Sequence, residues 1–70
     1  MEKEIRIEDD FIKLGQAMKK AGLADNGAEA KVVIQNGEVQ VNGETDDRRG
    51  RKLYEGDCFT YQGITVRIVR

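Results

Sequence analysis

The chain opens with two patterns of apolar residues, one typical of a strand and the other of a helix. Residues 4–8 alternate isoleucine with charged residues, which predicts a short strand with one buried face. From residue 11 onward, apolar residues recur at spacings of three and four, which predicts a helix from about Phe11 to Ala21. Asp9 or Asp10 is expected to cap the start of this helix, and Gly22 to end it.

A second helix is predicted after a short linker. Asn26 is followed three positions later by Glu29, the spacing at which a cap and a glutamate satisfy free amides of the first helical turn. This helix is expected to run to Asn36 and to stop at Gly37. Its apolar positions, which we expect to face inward, are Ala30, Val33 and Ile34.

The remainder of the chain is predicted to form short strands. Val39 and Val41 alternate with polar residues, and Asn42-Gly43 is the pair best suited to a two-residue hairpin turn. Two further turn signals are Glu55-Gly56-Asp57 and Gln62-Gly63. We therefore predict an α+β fold with two helices packed on one side of a small antiparallel β-sheet. The shared core is expected to contain Leu14, Met18, Val33, Ile34 and Val41.

Length and composition exclude several classes of protein. Seventy residues form one domain, spanning 1–70, and the mixture of charges at a net charge of -1 is typical of a globular protein. The chain has no histidine and a single cysteine, Cys58, which excludes internal disulfides, zinc clusters and histidine-dependent catalytic triads. We expect no metal, no cofactor and no catalytic residue, and we interpret Cys58 as a small buried hydrophobe. No apolar run has the length of a signal peptide or a membrane span, so we expect a cytoplasmic protein.

The strongest candidate for chemistry is the run Arg48-Arg49-Gly50-Arg51-Lys52. Guanidinium groups pair with phosphate oxygens, and a glycine allows the backbone to approach a ligand closely. The alternative is a solvated loop that Asp46 and Asp47 partly neutralise. The net charge does not decide between these hypotheses, because the first ten residues carry five acids against two bases and contribute -3 on their own.

A glycine and the aromatic residues raise two further questions. Gly15 lies inside the first predicted helix, where glycine costs about 1 kcal/mol relative to alanine. Close packing or a ligand near the backbone would offset that cost, and packing is the favoured explanation. Tyr54, Phe59 and Tyr61 are able to stack on nucleobases, but a chain with four aromatic residues needs most of them in its core. The sequence therefore lacks the aromatic platform expected of a protein that reads single strands.

Several of these residues match the residue types and spacing of a known family. Gly22-Leu23 is followed by Glu29-Ala30-Lys31, Ile34, Gly37 and the segment from Val39 to Gly43. In these residues the chain resembles the S4 RNA-binding domain, a helix-loop-helix and hairpin module of a small-subunit ribosomal protein, pseudouridine synthases and tyrosyl-tRNA synthetases. More narrowly, it resembles the small stand-alone S4-like proteins of bacteria, which are regarded as RNA-binding and ribosome-associated. The segments that carry this narrower resemblance are Leu14-Gly15-Gln16, Gly27 to Lys31 and Thr45 to Leu53. The resemblance implies the S4-like (alpha-L) fold over nearly the whole chain.

The resemblance also implies which residues bind RNA. Lys13, Lys20 and Lys31 stand where the family pattern has basic residues on its two helices. The family's Ser-Arg at the start of the second helix is replaced by Asn26-Gly27, and the acidic residue of the first helix by Gly15. These departures are consistent with helix amides that approach phosphate directly, while the basic run supplies the missing charge. The RNA-binding residues implied are Lys13, Lys20, Asn26, Gly27, Lys31, Arg48, Arg49, Arg51 and Lys52.

We accordingly predict a monomer that binds structured RNA, and specifically ribosomal RNA, through phosphates and without catalysis. The resemblance implies a role in ribosome assembly or function. The lysines and arginines named above are expected to converge on one face. Two alternatives stand beside this prediction: a protein-interaction module that docks an acidic partner, and a DNA binder of the helix-turn-helix type. We expect neither a membrane nor a small-molecule substrate as a partner.

Overall fold

The computed structural model describes residues 1–70 and contains two helices and seven strands. The elements are β1 (Glu2–Arg6), β2 (Ile12–Lys13), α1 (Leu14–Lys20), α2 (Gly27–Gln35), β3 (Val39–Val41), β4 (Glu44–Thr45), β5 (Lys52–Leu53), β6 (Cys58–Tyr61) and β7 (Ile64–Val69). The predicted α+β class is confirmed. Neither helix has the length and apolar composition required to cross a membrane.

Five strands form one sheet in the order β1-β7-β6-β3-β4, and β2 pairs with β5 in a separate two-stranded ribbon. Every pair in the sheet is antiparallel except β1 and β7, which run parallel. The sheet is therefore mixed, and the expectation of a purely antiparallel sheet is corrected at this edge. Parallel neighbours need a long crossover connection, and nearly the whole chain lies between β1 and β7.

The predicted hairpin turns are confirmed. Asn42 and Gly43 both have positive φ, at 52° and 87°, and they join β3 to β4. Gln62 and Gly63 repeat this geometry between β6 and β7, with φ of 51° and 78°. Two consecutive residues with positive φ match the right-handed twist of the strands that they connect, which explains why Asn-Gly signalled a turn correctly.

The predicted start of the first helix is wrong by three residues. Ile12 and Lys13 form β2 and pair with Leu53 and Lys52, so the helix begins only at Leu14. Neither Asp9 nor Asp10 caps it, because the N-cap residue is Lys13, which makes no side-chain cap hydrogen bond. Backbone carbonyls on the segment before β5 take over the capping role, as described below.

The second helix follows its prediction closely. The Oδ1 atom of Asn26 accepts a hydrogen bond from the amide of Glu29 at 2.8 Å, which is the predicted cap. The helix ends at Gln35, one residue before the predicted end, and Gly37 follows with a φ of 77°. Lys31 lies on the exposed side of the helix.

One core of fifteen buried apolar residues joins the helices to the sheet. Leu14, Met18, Ile34 and Val41 are buried as predicted, while Val33 packs against the core and is partly buried. The largest fully buried side chain is Phe59 on β6. Cys58 is only partly buried, which corrects its interpretation as a core residue: its neighbour Phe59 faces the core, and successive strand residues point to opposite faces.

Candidate functional site

A polar cleft of about 300 Å³ opens where the start of α1, the first residue of α2 and the basic run meet. None of its seven lining residues is hydrophobic and none is acidic, while three carry positive charge. We call it the basic cleft; it is lined by Lys13, Gly15, Gln16, Lys19, Gly27, Arg49 and Gly50. The fold therefore places positive charge from two separate segments, residues 13–19 and the basic run, around one opening.

The connection between β4 and β5, residues 46–51, forms one wall of the cleft, and we call it the basic loop. Its backbone is bonded to the start of α1: the amide of Leu14 donates to the carbonyl of Arg51 at 2.8 Å, and that of Gly15 donates to the carbonyl of Arg49 at 3.1 Å. Because helix amides in the first turn lack acceptors within the helix, these bonds both cap α1 and anchor the loop. They also explain why no side-chain cap is needed.

Gly15 accommodates the close approach of the Arg49 side chain. A Cβ atom at this position would lie 2.7 Å from the Cγ atom of Arg49, closer than real Cβ contacts come. The packing explanation for this helical glycine therefore holds, with the basic loop as the neighbour. The absence of a side chain at residue 15 leaves room for the Arg49 side chain against α1.

Asp46 organises the rest of the basic loop. Its side chain is 6% exposed and accepts hydrogen bonds from the backbone and guanidinium of Arg48, at 2.8 to 3.0 Å, and from Arg51 at 2.6 Å. The Arg48 side chain contributes most, and together these donors outweigh burial and hold the pKa of Asp46 well below its usual range. Asp46 in turn raises the pKa of Arg48. We call this group the Asp46 clamp.

The clamp divides the arginines of the loop into two kinds. Arg48 and Arg51 form salt bridges with Asp46, and their side chains are 67% and 32% exposed, respectively. Arg49 forms no salt bridge and faces the basic cleft. The single carboxylate of Asp46 offsets one of the two positive charges of Arg48 and Arg51, and Asp47 forms no salt bridge. Arg49 keeps its charge available, and the role of the loop in binding stays a prediction.

A second depression, of about 520 Å³, adjoins the first because Gly50 lines both. We call it the loop cleft; it is lined by Arg48, Gly50, Arg51, Lys52 and Tyr54. Lys52 on β5 lies directly opposite Lys13 on β2, so one lysine from each cleft shares an exposed face of the ribbon. Like charges at directly opposed positions are unfavourable, and a bound anion would relieve their repulsion.

The other two predicted lysines line neither of these clefts. The Nζ atom of Lys20 donates to the carbonyl of Arg6 at 2.5 Å, in a depression that Glu8 and Asp9 also line. Lys31 lines none of the depressions. The depression of Lys20 adjoins the basic cleft, because Gln16 lines both. Convergence of all the basic residues on one face, and RNA contact by Lys20 and Lys31, stay predictions. The described chain has no cluster of three acidic or cysteine side chains able to hold a metal ion.

Comparison with known proteins places the chain in a family. The family model described as the S4 domain matches residues 5–69. The chain belongs to the S4 domain family. The resemblance inferred from the glycine, lysine and hairpin positions is thereby confirmed.

Two bacterial relatives cover most of this S4 chain. The probable ribosome maturation protein RlbA of Bacillus subtilis is 44% identical over 64 residues, which are 91% of this chain and 90% of that protein. YbcJ of Escherichia coli is 31% identical over 58 residues, 83% of each chain. The solution structure of YbcJ, described as revealing an αL motif involved in RNA binding, matches with a TM-score of 0.70 at 26% identity. That match covers 99% of this chain and 86% of YbcJ.

The departures from the S4 pattern at the start of α2 have a structural counterpart. The Oδ1 atom of Asn26 is engaged in capping, so it orients the first turn. Gly27 lines the basic cleft, and a Cβ atom there would have no neighbour within 4 Å. The amides of Gly27 and Ala28 have no acceptor within the protein. The space left by the family's arginine is thus open, and Arg49 reaches the same cleft from the basic loop.

Lys19 is a member of the basic cleft that the sequence reasoning missed. Basic residues of α1 were assigned from the family pattern, which selected Lys20. Residues four apart on a helix share a face, so Lys19 lies one turn beyond Gly15 and beside the Arg49 contact. The spacing of four residues between Gly15 and Lys19 indicates that both lie on one face of the helix. That spacing points to the cleft only once Gly15 is known to contact the basic loop.

Proposed function

We propose that this S4 protein binds structured RNA through its phosphates and catalyses no reaction on it. The observation that carries the proposal is the basic cleft, in which Lys13, Lys19 and Arg49 converge without an acidic residue among the lining groups. Lysine and arginine neutralise phosphates and release their counterions, which supplies most of the affinity in non-sequence-specific binding. The cleft has the charge and the size for a phosphate group or a short stretch of backbone.

The start of α2 adds a second kind of phosphate contact. Free amides and the positive end of the helix dipole both favour an anion at the N-terminus of a helix. Gly27 brings its backbone to the cleft without a side chain in the way, and its amide is unengaged. Asn26 is then a positioning residue, since its side chain caps the helix that presents these amides.

Ribosomal RNA is the target that we propose, with a role in ribosome maturation. The support comes from the relatives, since one is named for ribosome maturation and the structure of the other is described by RNA binding. Recognition through phosphates suits a folded RNA, because A-form helices and junctions present their backbones at fixed spacing. We propose that the protein acts in the cytoplasm and binds its RNA as a monomer.

The direct test is affinity for a folded fragment of ribosomal RNA, measured at two salt concentrations beside a single strand of matched length. We expect tighter binding to the folded RNA and a decrease in affinity as salt rises. A DNA duplex of the same sequence is the control for the helix-turn-helix alternative, and equal binding to it would favour that class. RNA affinity that does not depend on salt would reject the phosphate mechanism and leave an acidic protein partner as the candidate.

Co-sedimentation of the untagged protein with ribosomal particles from cells tests the biological part of the proposal. We expect the protein in fractions that contain ribosomal subunits or their precursors at low salt, and its release at high salt. Absence from every particle fraction at low salt would contradict a ribosomal target.

A further inference from the structure

The face of the β2–β5 ribbon that points away from the core carries two aromatic rings beside its two lysines. Phe11 and Tyr54 lie one position beyond the paired residues Ile12 and Leu53, so they are opposite each other on one face. Their ring centroids are 6.0 Å apart with the planes inclined at 51°. The Nζ atom of Lys52 lies 4.8 Å from the centroid of Phe11, a cation–π contact.

Tyr54 is the exposed member of this group. It is 49% exposed, whereas Phe11 is partly buried and Phe59 is fully buried in the core. Its backbone is held in place by Asp57, which accepts a hydrogen bond from the amide of Tyr54 at 2.7 Å and donates one to its carbonyl at 2.9 Å. Tyr54 therefore presents an aromatic face on an ordered part of the chain, backed by a second ring.

The surroundings of Tyr54 indicate what would cover it. Lys52 lines the loop cleft with it, as do Arg48 and Arg51, whose shared pairing with the single carboxylate of Asp46 leaves a net positive charge. The loop cleft adjoins the basic cleft, because Gly50 lines both. An aromatic face flanked by cations and next to a phosphate site has the combination of groups that binds a nucleotide by its base and its backbone together.

We propose that Tyr54, backed by Phe11 and Lys52, is a stacking site for one unpaired nucleobase of RNA. This inference rests on the proposed function, because the phosphates next to that base would lie in the basic cleft. It departs from the expectation that the chain lacks an aromatic platform for bases, and it assigns to the protein a preference for a bulged or looped-out nucleotide beside a folded helix. Stacking tolerates any base, since every base has a π face.

The experiment compares a stem-loop RNA that carries one bulged adenosine with the same RNA lacking the bulge. Replacing Tyr54 by alanine should weaken binding to the bulged RNA by roughly 5- to 100-fold, the range found for loss of one stacked base. Binding to the fully paired RNA should change less than about twofold, because phosphate contacts remain. Tyr54→Phe keeps the ring and should retain the wild-type preference for the bulge.

Tyrosine fluorescence gives a readout that a merely structural role would not move. The chain has no tryptophan and only two tyrosines, so Tyr61→Phe leaves Tyr54 as the single emitter. We expect the bulged RNA to quench its emission at saturation and the paired RNA to leave it nearly unchanged. The Tyr54→Phe protein, in which Tyr61 alone emits, is the matched control and should show no bulge-dependent quenching.

The outcomes separate this inference from the proposed function. Wild-type protein that binds both RNAs with salt dependence, while Tyr54→Ala binds both as tightly as wild type, would overturn the stacking site and leave the phosphate mechanism standing. An equal loss on both RNAs would also overturn it, since the ring would then support the loop rather than a base. Wild-type protein that binds neither RNA would overturn the proposed function and the stacking site together.

Discussion

The contact between Gly15 and Arg49 provides a stringent test of how the basic cleft is built. A methyl group at residue 15 would lie 2.7 Å from the Cγ atom of Arg49 but 3.7 Å from its carbonyl oxygen, which is an ordinary contact. The loop backbone can therefore stay in place, whereas the Arg49 side chain must move. We predict that Gly15→Ala preserves the fold and displaces the one loop arginine that the Asp46 clamp leaves free.

Two effects on stability oppose each other in this variant. Alanine gains up to about 1 kcal/mol over glycine in a helix, and overpacking against a neighbour that cannot move costs roughly 1 to 3 kcal/mol. Because Arg49 is exposed, its side chain can rotate away. The unfolding free energy should consequently change by less than about 1 kcal/mol. RNA affinity should fall roughly 3- to 10-fold, which corresponds to one displaced charged contact of about 0.6 to 1.4 kcal/mol.

A double-mutant cycle isolates the clash. Arg49→Ala removes the Cγ atom, so in that background Gly15→Ala should raise the unfolding free energy by up to about 1 kcal/mol. Thermal and urea unfolding followed by circular dichroism gives the stability of all four proteins, and titration with one folded RNA at fixed salt gives their affinities. Identical effects of Gly15→Ala in both backgrounds, together with undiminished RNA binding in the single variant, would refute the assigned contact.

Three further predictions follow from other parts of the structure. Asp46→Asn should lower the unfolding free energy by about 1 to 2 kcal/mol at neutral pH, a figure reduced for the exposure of its arginine partners. Since the pKa of Asp46 is depressed in the folded protein, the stability difference from wild type should be complete above about pH 5 and shrink as the pH falls below about 4. A stability difference that grew in acid would be inconsistent with the clamp. Gly27→Arg should fold normally, because a Cβ atom at residue 27 meets nothing within 4 Å. The added charge should steepen the salt dependence of RNA affinity by about one unit of log-log slope, and an unchanged slope would place residue 27 outside the RNA site. Ile34→Ala should cost roughly 2 to 5 kcal/mol in a chemical unfolding experiment, because this side chain is fully buried in the core. A variant as stable as wild type would contradict its place in the core.

Local chemistry explains which elements could be predicted from the sequence. The Asn42-Gly43 turn and the Asn26 cap depend on residues adjacent in the chain, and both are present as predicted. The start of α1 depends instead on Leu53 and Arg51, whose pairing with residues 12 and 14 spans about forty residues. Periodicity favoured a longer helix because it records apolar spacing and carries no information on such distant partners. The parallel pairing of β1 with β7 was missed for the same reason.

The candidate site divides in a similar way. Charge density identified the basic loop, and the family pattern identified Lys13 and Gly27, all of which the structure brings to one cleft. The unequal roles of the loop arginines were not predictable, since sequence proximity to Asp46 does not say which guanidinium turns toward it. For this reason a variant that removes Arg48, Arg49 and Arg51 together would disturb the clamp as well as the cleft, and Arg49 is the informative member to replace.

The salt dependence of RNA binding in two charge-matched variants tests the central claim most directly. Lys19→Gln with Arg49→Gln removes two charges from the basic cleft, and Arg67→Gln with Arg70→Gln removes two charges from β7 and the chain end, outside that cleft. We expect the first pair to flatten the log-log slope of affinity against salt by roughly 1.5 to 2 units, and the second to change it by less than about half a unit. Equal slopes for the two pairs, with both proteins folded, would contradict a phosphate site in the basic cleft.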